Sequence, residues 1–170
     1  MVPEDMVGSV LHPLNTLKTS HPELYISEAN KYQNREQVME KIIPTLECLW
    51  NDVLHFSAID PKDLKEALNE AGFRRKEMKF FQIDPDLLDP EKTTIFLYNN
   101  TDIDYEDIAE DFTAYNPNDI ASYSTIRDIT KQLWKEKIKA EGRPVLFIGI
   151  PHILHKGSLD ISELPVITVS

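Results

Sequence analysis

Between Pro144 and Pro151 the chain runs Val145-Leu146-Phe147-Ile148-Gly149-Ile150, six residues without a polar side chain. A short run that is apolar on both faces reads as a central strand, covered on both sides. Shorter β-rich runs between turn residues place four more strands, over residues 49–57, 79–83, 94–98 and 166–169. Around the apolar run these neighbours mix apolar and polar residues.

Helix starts are signed by their caps. Ser20, with Pro22 and Glu23, resembles a capping box and predicts a helix to about Tyr32. Asp60-Pro61 with Asp63 supplies a cap, a proline at the first helical position and an acid suited to the helix dipole. Leu64, Ala67, Leu68 and Ala71 form its apolar stripe, and Gly72 ends it. Asn116-Pro117 with Asp119 repeats the pattern and predicts the longest helix. It runs to about Ala140 with Ile126, Ile129, Leu133 and Ile138 inward, and Gly142 stops it. A short helix is expected over residues 35–41, and residues 1–14 read as an irregular arm. Helices and strands do not alternate strictly. The fold class is therefore α+β, a mixed or antiparallel central sheet with flanking helices, rather than a doubly wound sheet.

The length of 170 residues suits one domain spanning 1–170. The single cysteine, Cys48, can form no intramolecular disulfide, which fits a reducing compartment. Residues 1–11 carry acids and no basic leader, and no run approaches the roughly 18 apolar residues that span a bilayer. These features predict a cytoplasmic protein without a membrane partner. A formal net charge of −11 repels phosphate backbones, so no nucleic-acid partner is expected.

Two His-bearing segments are the candidates for chemistry. On a strand over 49–57, Asn51, Val53, His55 and Ser57 share one face. A row of hydrogen-bonding groups around one valine suits a polar ligand, with His55 as acid/base and Asn51 and Ser57 as ligand-positioning groups. The same face could equally be solvent-exposed, or His55 could bond a neighbouring loop. The opposite face sets Asp52 among Trp50, Leu54 and Phe56. A buried carboxylate needs a partner, and Arg35 or Lys31 is the expected ion-pair cation.

The second segment reads Ile-Pro-His-Ile-Leu-His-Lys-Gly over 150–157. His152 and His155 are three apart, a metal-ligand spacing on a helix. Here Pro151 and Gly157 indicate a turn off the central strand, and no Cys or Glu cluster completes a set. The pair is expected to line a ligand site opposite His55, with no metal. Arg35, in the polar junction Lys31-Tyr32-Gln33-Asn34-Arg35-Glu36, is a candidate anion clamp at a helix N-terminus. Cys48 reads as an inert packing thiol. No Gly-x-Ser-x-Gly, P-loop or Gly-x-Gly-x-x-Gly is present.

Several of these residues carry a resemblance. Val53-Leu54-His55-Phe56-Ser57, a helix, then Phe80-Phe81-Gln82-Ile83-Asp84-Pro85-Asp86-Leu87-Leu88 resembles the pattern Ile-His-Phe-Ser, helix, strand, Ile-Asp-Pro-x-x-Leu. That pattern belongs to a small bacterial family of unknown function, related in fold to ADP-ribosyltransferases. Pro151-His152-Ile153-Leu154 resembles its Phe-Pro-His-Ile-Tyr. The chain is also similar to uncharacterised Bacillus-type proteins with a Trp-Asn-Asp-Val-Leu-His motif, here Trp50 to His55. The match covers residues 50–90 and 145–169. It implies an ADP-ribosyltransferase-like fold, an NAD-type ligand, and His55 against a nicotinamide ribose. By order, Tyr98 and Glu163 are the nearest candidates for the tyrosine and glutamate of a His-Tyr-Glu set.

Two functions follow as expectations. One is a domain that binds or acts on an NAD, ADP-ribose-type or other small polar ligand. The other is a non-enzymatic acidic interaction protein, an immunity, antitoxin or regulatory partner. Its motivation is the net charge and the acidic stretch 102–111, which would steer it toward a basic protein. Convergence of His55 and His152 on one cleft would favour the first.

Overall fold

The computed structural model describes residues 1–3, 6–33, 35–102 and 105–170. In chain order the regular elements are β1 (Val10–Leu11), α1 (Leu14–Ser20), α2 (Pro22–Ala29), α3 (Gln37–Glu40), β2 (Ile42–Ile43), β3 (Cys48–Leu49), β4 (Val53–Phe56), α4 (Pro61–Glu70), β5 (Met78–Phe81), β6 (Thr93–Phe96), β7 (Phe112–Ala114), α5 (Asp128–Glu141), β8 (His152–Lys156), β9 (Leu159–Asp160) and β10 (Val166–Val169). The class is α+β. The main sheet has four antiparallel strands in the order β4-β8-β6-β7. Two-stranded antiparallel pairs join β1 to β9, β5 to β10 and β2 to β3.

Register decides which side chains share a face. His55 lies opposite Leu154, and Leu154 opposite Thr94. Phe96 lies opposite both His152 and Phe112. One face of the sheet thus carries Val53, His55, His152, Leu154, Phe96 and Phe112, and packs with Ile43, Trp50 and Tyr98. The other face presents Ile95 and Ile153 to Leu88 and Tyr115. A third cluster joins Leu64, Ala67 and Leu68 of α4 to Phe80 of β5 and to Trp134 of α5.

The capped helix behaves as its sequence requires. Asp60 accepts the Lys62 amide at 2.7 Å, Pro61 takes the first helical position, and the expected stripe is buried. The Asn116-Pro117 helix is shorter than expected. Its opening is a 3-10 helix, Pro117–Tyr123, and α5 starts only at Asp128. Serine and threonine near the break compete with helical backbone bonds, and Ser124 Oγ donates to the Ala121 carbonyl at 2.7 Å. In α5 the fully buried residues are Thr130 and Trp134, while Ile129 is exposed.

The apolar run 145–150 is not a strand. It is a turn-rich segment against α5, and the central strand is β8, immediately after it. The carbonyls a ladder would use are taken elsewhere. Trp134 Nε1 donates to Val145 O at 3.0 Å, and Arg127 Nε and Thr130 Oγ1 donate to Gly149 O at 3.0 and 3.1 Å. Ile150 is buried in the cluster with Trp134, and Leu146, Phe147 and Ile148 pack partly buried against it, while Val145 is exposed. The arm 1–14 is tied down at several described points: the Val2 amide donates to Lys79 O, β1 pairs with β9, and Pro13 is buried.

Candidate functional site

The segment 49–57 divides into β3, a 3-10 turn at Trp50–Asp52, and β4. Asn51, His55 and Ser57 therefore do not form one strand face. Asn51 is buried in the 3-10 turn, does not line the cleft that His55 and His152 share, and its Nδ2 has no hydrogen-bond partner among the described residues. Asp52 makes no ion pair with Arg35 or Lys31. Its carboxylate accepts from Asn15 Nδ2 at 2.7 Å and from the Leu49 amide at 2.8 Å.

The same turn folds Trp50 back over β4. Its ring lies 4.9 Å from that of His55, 5.3 Å from Phe96 and 6.1 Å from His152. His55 and His152 rings are 5.9 Å apart and nearly perpendicular. Tyr98 stands 5.5 Å and Phe147 6.5 Å from His152. An aromatic nest thus surrounds a pair of imidazoles.

Carbonyl oxygens only accept, so the bonds they make fix both tautomers. His55 Nε2–H donates to Trp50 O at 3.1 Å, leaving Nδ1 an acceptor without a partner among the described residues. His152 Nδ1–H donates to Ile150 O at 2.7 Å, leaving Nε2 bare. Burial pushes the His152 pKa down to about 4, against the opposing pull of its bonds to backbone. Burial and the neighbouring His152 also lower His55, although its ring stays open to solvent at the cleft. Both rings are neutral at pH 7.

Both also line one cleft of about 450 Å³. It passes the end of β4 and the start of β8, so residues of both sheet faces reach it. Phe56, Phe80, Phe147 and Tyr115 supply apolar wall, and Ser57, Asp60, Asp63 and Gln82 supply polar groups. Ser57 Oγ accepts the Ile59 amide at 3.2 Å, so it is in part a turn residue.

The other candidates are elsewhere. His155, three residues from His152 on the same strand, points to the opposite face. It is buried, with Nδ1 2.9 Å from the hydroxyl of Thr93, its cross-strand partner, and that hydroxyl in turn donates to Asp89 O. It does not line the cleft with His55 and His152. Arg35 donates to Lys31 O at 2.8 Å and lies 5.9 Å over the Tyr32 ring, clamping its own junction. Asn34 of that junction lies outside the described residues. Glu163 is exposed and absent from the cleft.

In the acidic stretch 102–111, residues 103 and 104 lie outside the described residues. Asp107 pairs with Lys41 at 3.0 Å, and buried Asp111 accepts from the Ile108 amide and Asn99. These two acids serve the fold. Among the described residues no cluster of three or more His, Cys, Asp or Glu could hold a metal, and no helix is long and apolar enough to cross a membrane.

Sequence reasoning missed the aromatic nest and the place of Asp60 and Asp63 in the cleft. The caps were legible as caps, but nothing local says that a helix start also borders a cavity. No family model, curated protein or solved structure matches the chain.

Proposed function

We propose that the cleft binds a small, polar, ring-bearing ligand at the His55–His152 pair. The observation that carries this reading is the convergence of two neutral imidazoles, each with a bare acceptor nitrogen, inside an aromatic nest. Flat rings stack on aromatic walls, which Phe56, Phe80, Phe147 and Tyr115 supply in the cleft, and two fixed acceptors orient a ligand's N–H or O–H groups. Concave sites with a few convergent polar groups and perturbed histidines are the usual places for ligand recognition. The resemblance to an ADP-ribosyltransferase-like family makes NAD-type compounds the first ligands to try. In that reading the carboxamide of the nicotinamide ring would donate to the imidazoles.

The test is calorimetric titration with NAD, nicotinamide and ADP-ribose. Heat with NAD or nicotinamide that vanishes in His152→Ala and in His55→Ala supports the reading. No heat with any of the three at high micromolar concentration removes NAD-type compounds as ligands.

A further inference from the structure

The cleft's imidazole and carboxylate groups are acceptors. His55 Nδ1 and His152 Nε2 are bare lone pairs, since their N–H groups are engaged with backbone. Asp60 and Asp63 line the same cavity, and neither is in an ion pair among the described residues. Two of the hydroxyls that line it direct their protons inward, Tyr115 to Pro85 O and Ser124 to Ala121 O, each at 2.7 Å, whereas Ser57 Oγ accepts the Ile59 amide and keeps its proton as a donor. Gln82 supplies an amide donor. No lysine or arginine side chain is among the lining residues, and burial lowers the pKa of the α-amine of Met1, which also lines the cleft.

The start of α4 borders the cleft, and a helix start ordinarily favours an anion. Here that role is already filled. The Asp60 carboxylate accepts the Lys62 amide, and Asp63 lies in the first turn. A phosphate or carboxylate entering would meet two carboxylates, with no lysine or arginine beside them and only the Met1 α-amine, its pKa lowered by burial, as a counter-group. A cation meets two carboxylates, two imidazole acceptors and the side chains of Phe56, Phe80 and Phe147.

We propose that the cleft selects an organic cation: a flat ring bearing N–H donors and a positive charge, such as an aromatic amidine or amine. This rests on the reading of the cleft as a ring-binding site and narrows it by charge. A diphosphate, as in ADP-ribose, then contributes nothing favourable here, and binding of an NAD-type compound would come from its ring.

Three probes of one shape separate charge from shape: benzamidine (cation), benzamide (neutral) and benzoate (anion). Each is titrated into the whole chain at neutral pH while the His55 and His152 imidazole signals are followed by NMR. Benzamidine is expected to bind at least about tenfold more tightly than benzoate, with benzamide between them. In Asp60→Asn/Asp63→Asn the advantage of benzamidine over benzamide should shrink by about threefold or more. Asparagine caps a helix as well as aspartate, so the fold is kept. Equal affinities, tightest binding of benzoate, or an unchanged gap in the double variant would overturn the charge selection alone. If no probe of any charge moves either histidine signal, the ring-binding reading falls with it.

Discussion

His152 stands one diagonal step across the sheet from His55, and that register brings their rings to 5.9 Å. His55 faces Leu154 on β8, so residue 152 is two positions along on the same face. Diagonal neighbours lie within reach of aromatic side chains. A slip of one residue would send one imidazole through the sheet. The pair is thus a product of β4–β8 pairing, not of nearness in sequence.

The two histidines should make stability fall with acid. Each has its pKa lowered by folding. In the unfolded chain both protonate near pH 6.5, while folded His152 resists until about 4. Between those values the unfolded state binds more protons, so stability is full above pH 6.5 and declines as pH drops toward 4. The His152 contribution is on the order of 3 kcal/mol. His55 adds less than its burial suggests, since cleft solvent screens it. Urea midpoints measured from pH 7 to pH 4 should shift downward in the wild type and distinctly less in His152→Asn. A midpoint that stays level in the wild type would contradict neutral, buried rings.

His152 and His155 should separate cleanly by function. His155 is 6 % exposed and bonded to Thr93, so His155→Ala removes packing and a buried hydrogen bond. A loss of about 2–3 kcal/mol is expected in chemical denaturation, with probe binding at the cleft unchanged. His152→Ala should show the reverse emphasis, abolishing the NMR response to ring probes. Equal loss of binding in both variants would place His155 in the site.

What could be read from the sequence follows from how local each signal is. The cap at Asp60-Pro61 and the stripe of α4 are local, and both appear as expected. The α+β class also follows, because short β-rich runs and capped helices coexist. The run 145–150 misleads because apolarity marks burial without saying what covers it. Trp134, Arg127 and Thr130 claim its carbonyls from α5 or just before it, and nothing within 145–150 announces them. In the site, His55 is legible as a polar residue on a strand, whereas Pro151 and Gly157 point to a turn around His152, which in fact opens strand β8. Their meeting depended on register. Strand alternation puts Asn51 on the same face as His55, because the 3-10 turn at Trp50–Asp52, held by Asp52 accepting the Leu49 amide, leaves no clear mark in the residues themselves.

Gly149 should be the least replaceable glycine beside the site. Its φ of 70° lies where a side chain is strained, and an added Cβ would sit 2.8 Å from Thr130 Oγ1. Gly142 has a similar φ of 74° but open space around the same position. Gly142→Ala then measures backbone strain alone, about 1 kcal/mol. Gly149→Ala carries that strain plus a clash with a fully buried threonine, and about 2–4 kcal/mol is expected. The two also differ at a distance. Gly149 O receives Arg127 and Thr130, Arg127 also donates to Tyr98 O at 2.7 Å, and the next carbonyl, Ile150 O, fixes the His152 ring. Gly149→Ala should therefore move the His152 imidazole signals and weaken ring-probe binding, while Gly142→Ala leaves both alone. Equal destabilisation by the two alanines, with His152 signals unmoved, would mean that the Arg127–Gly149 anchor does not position the site.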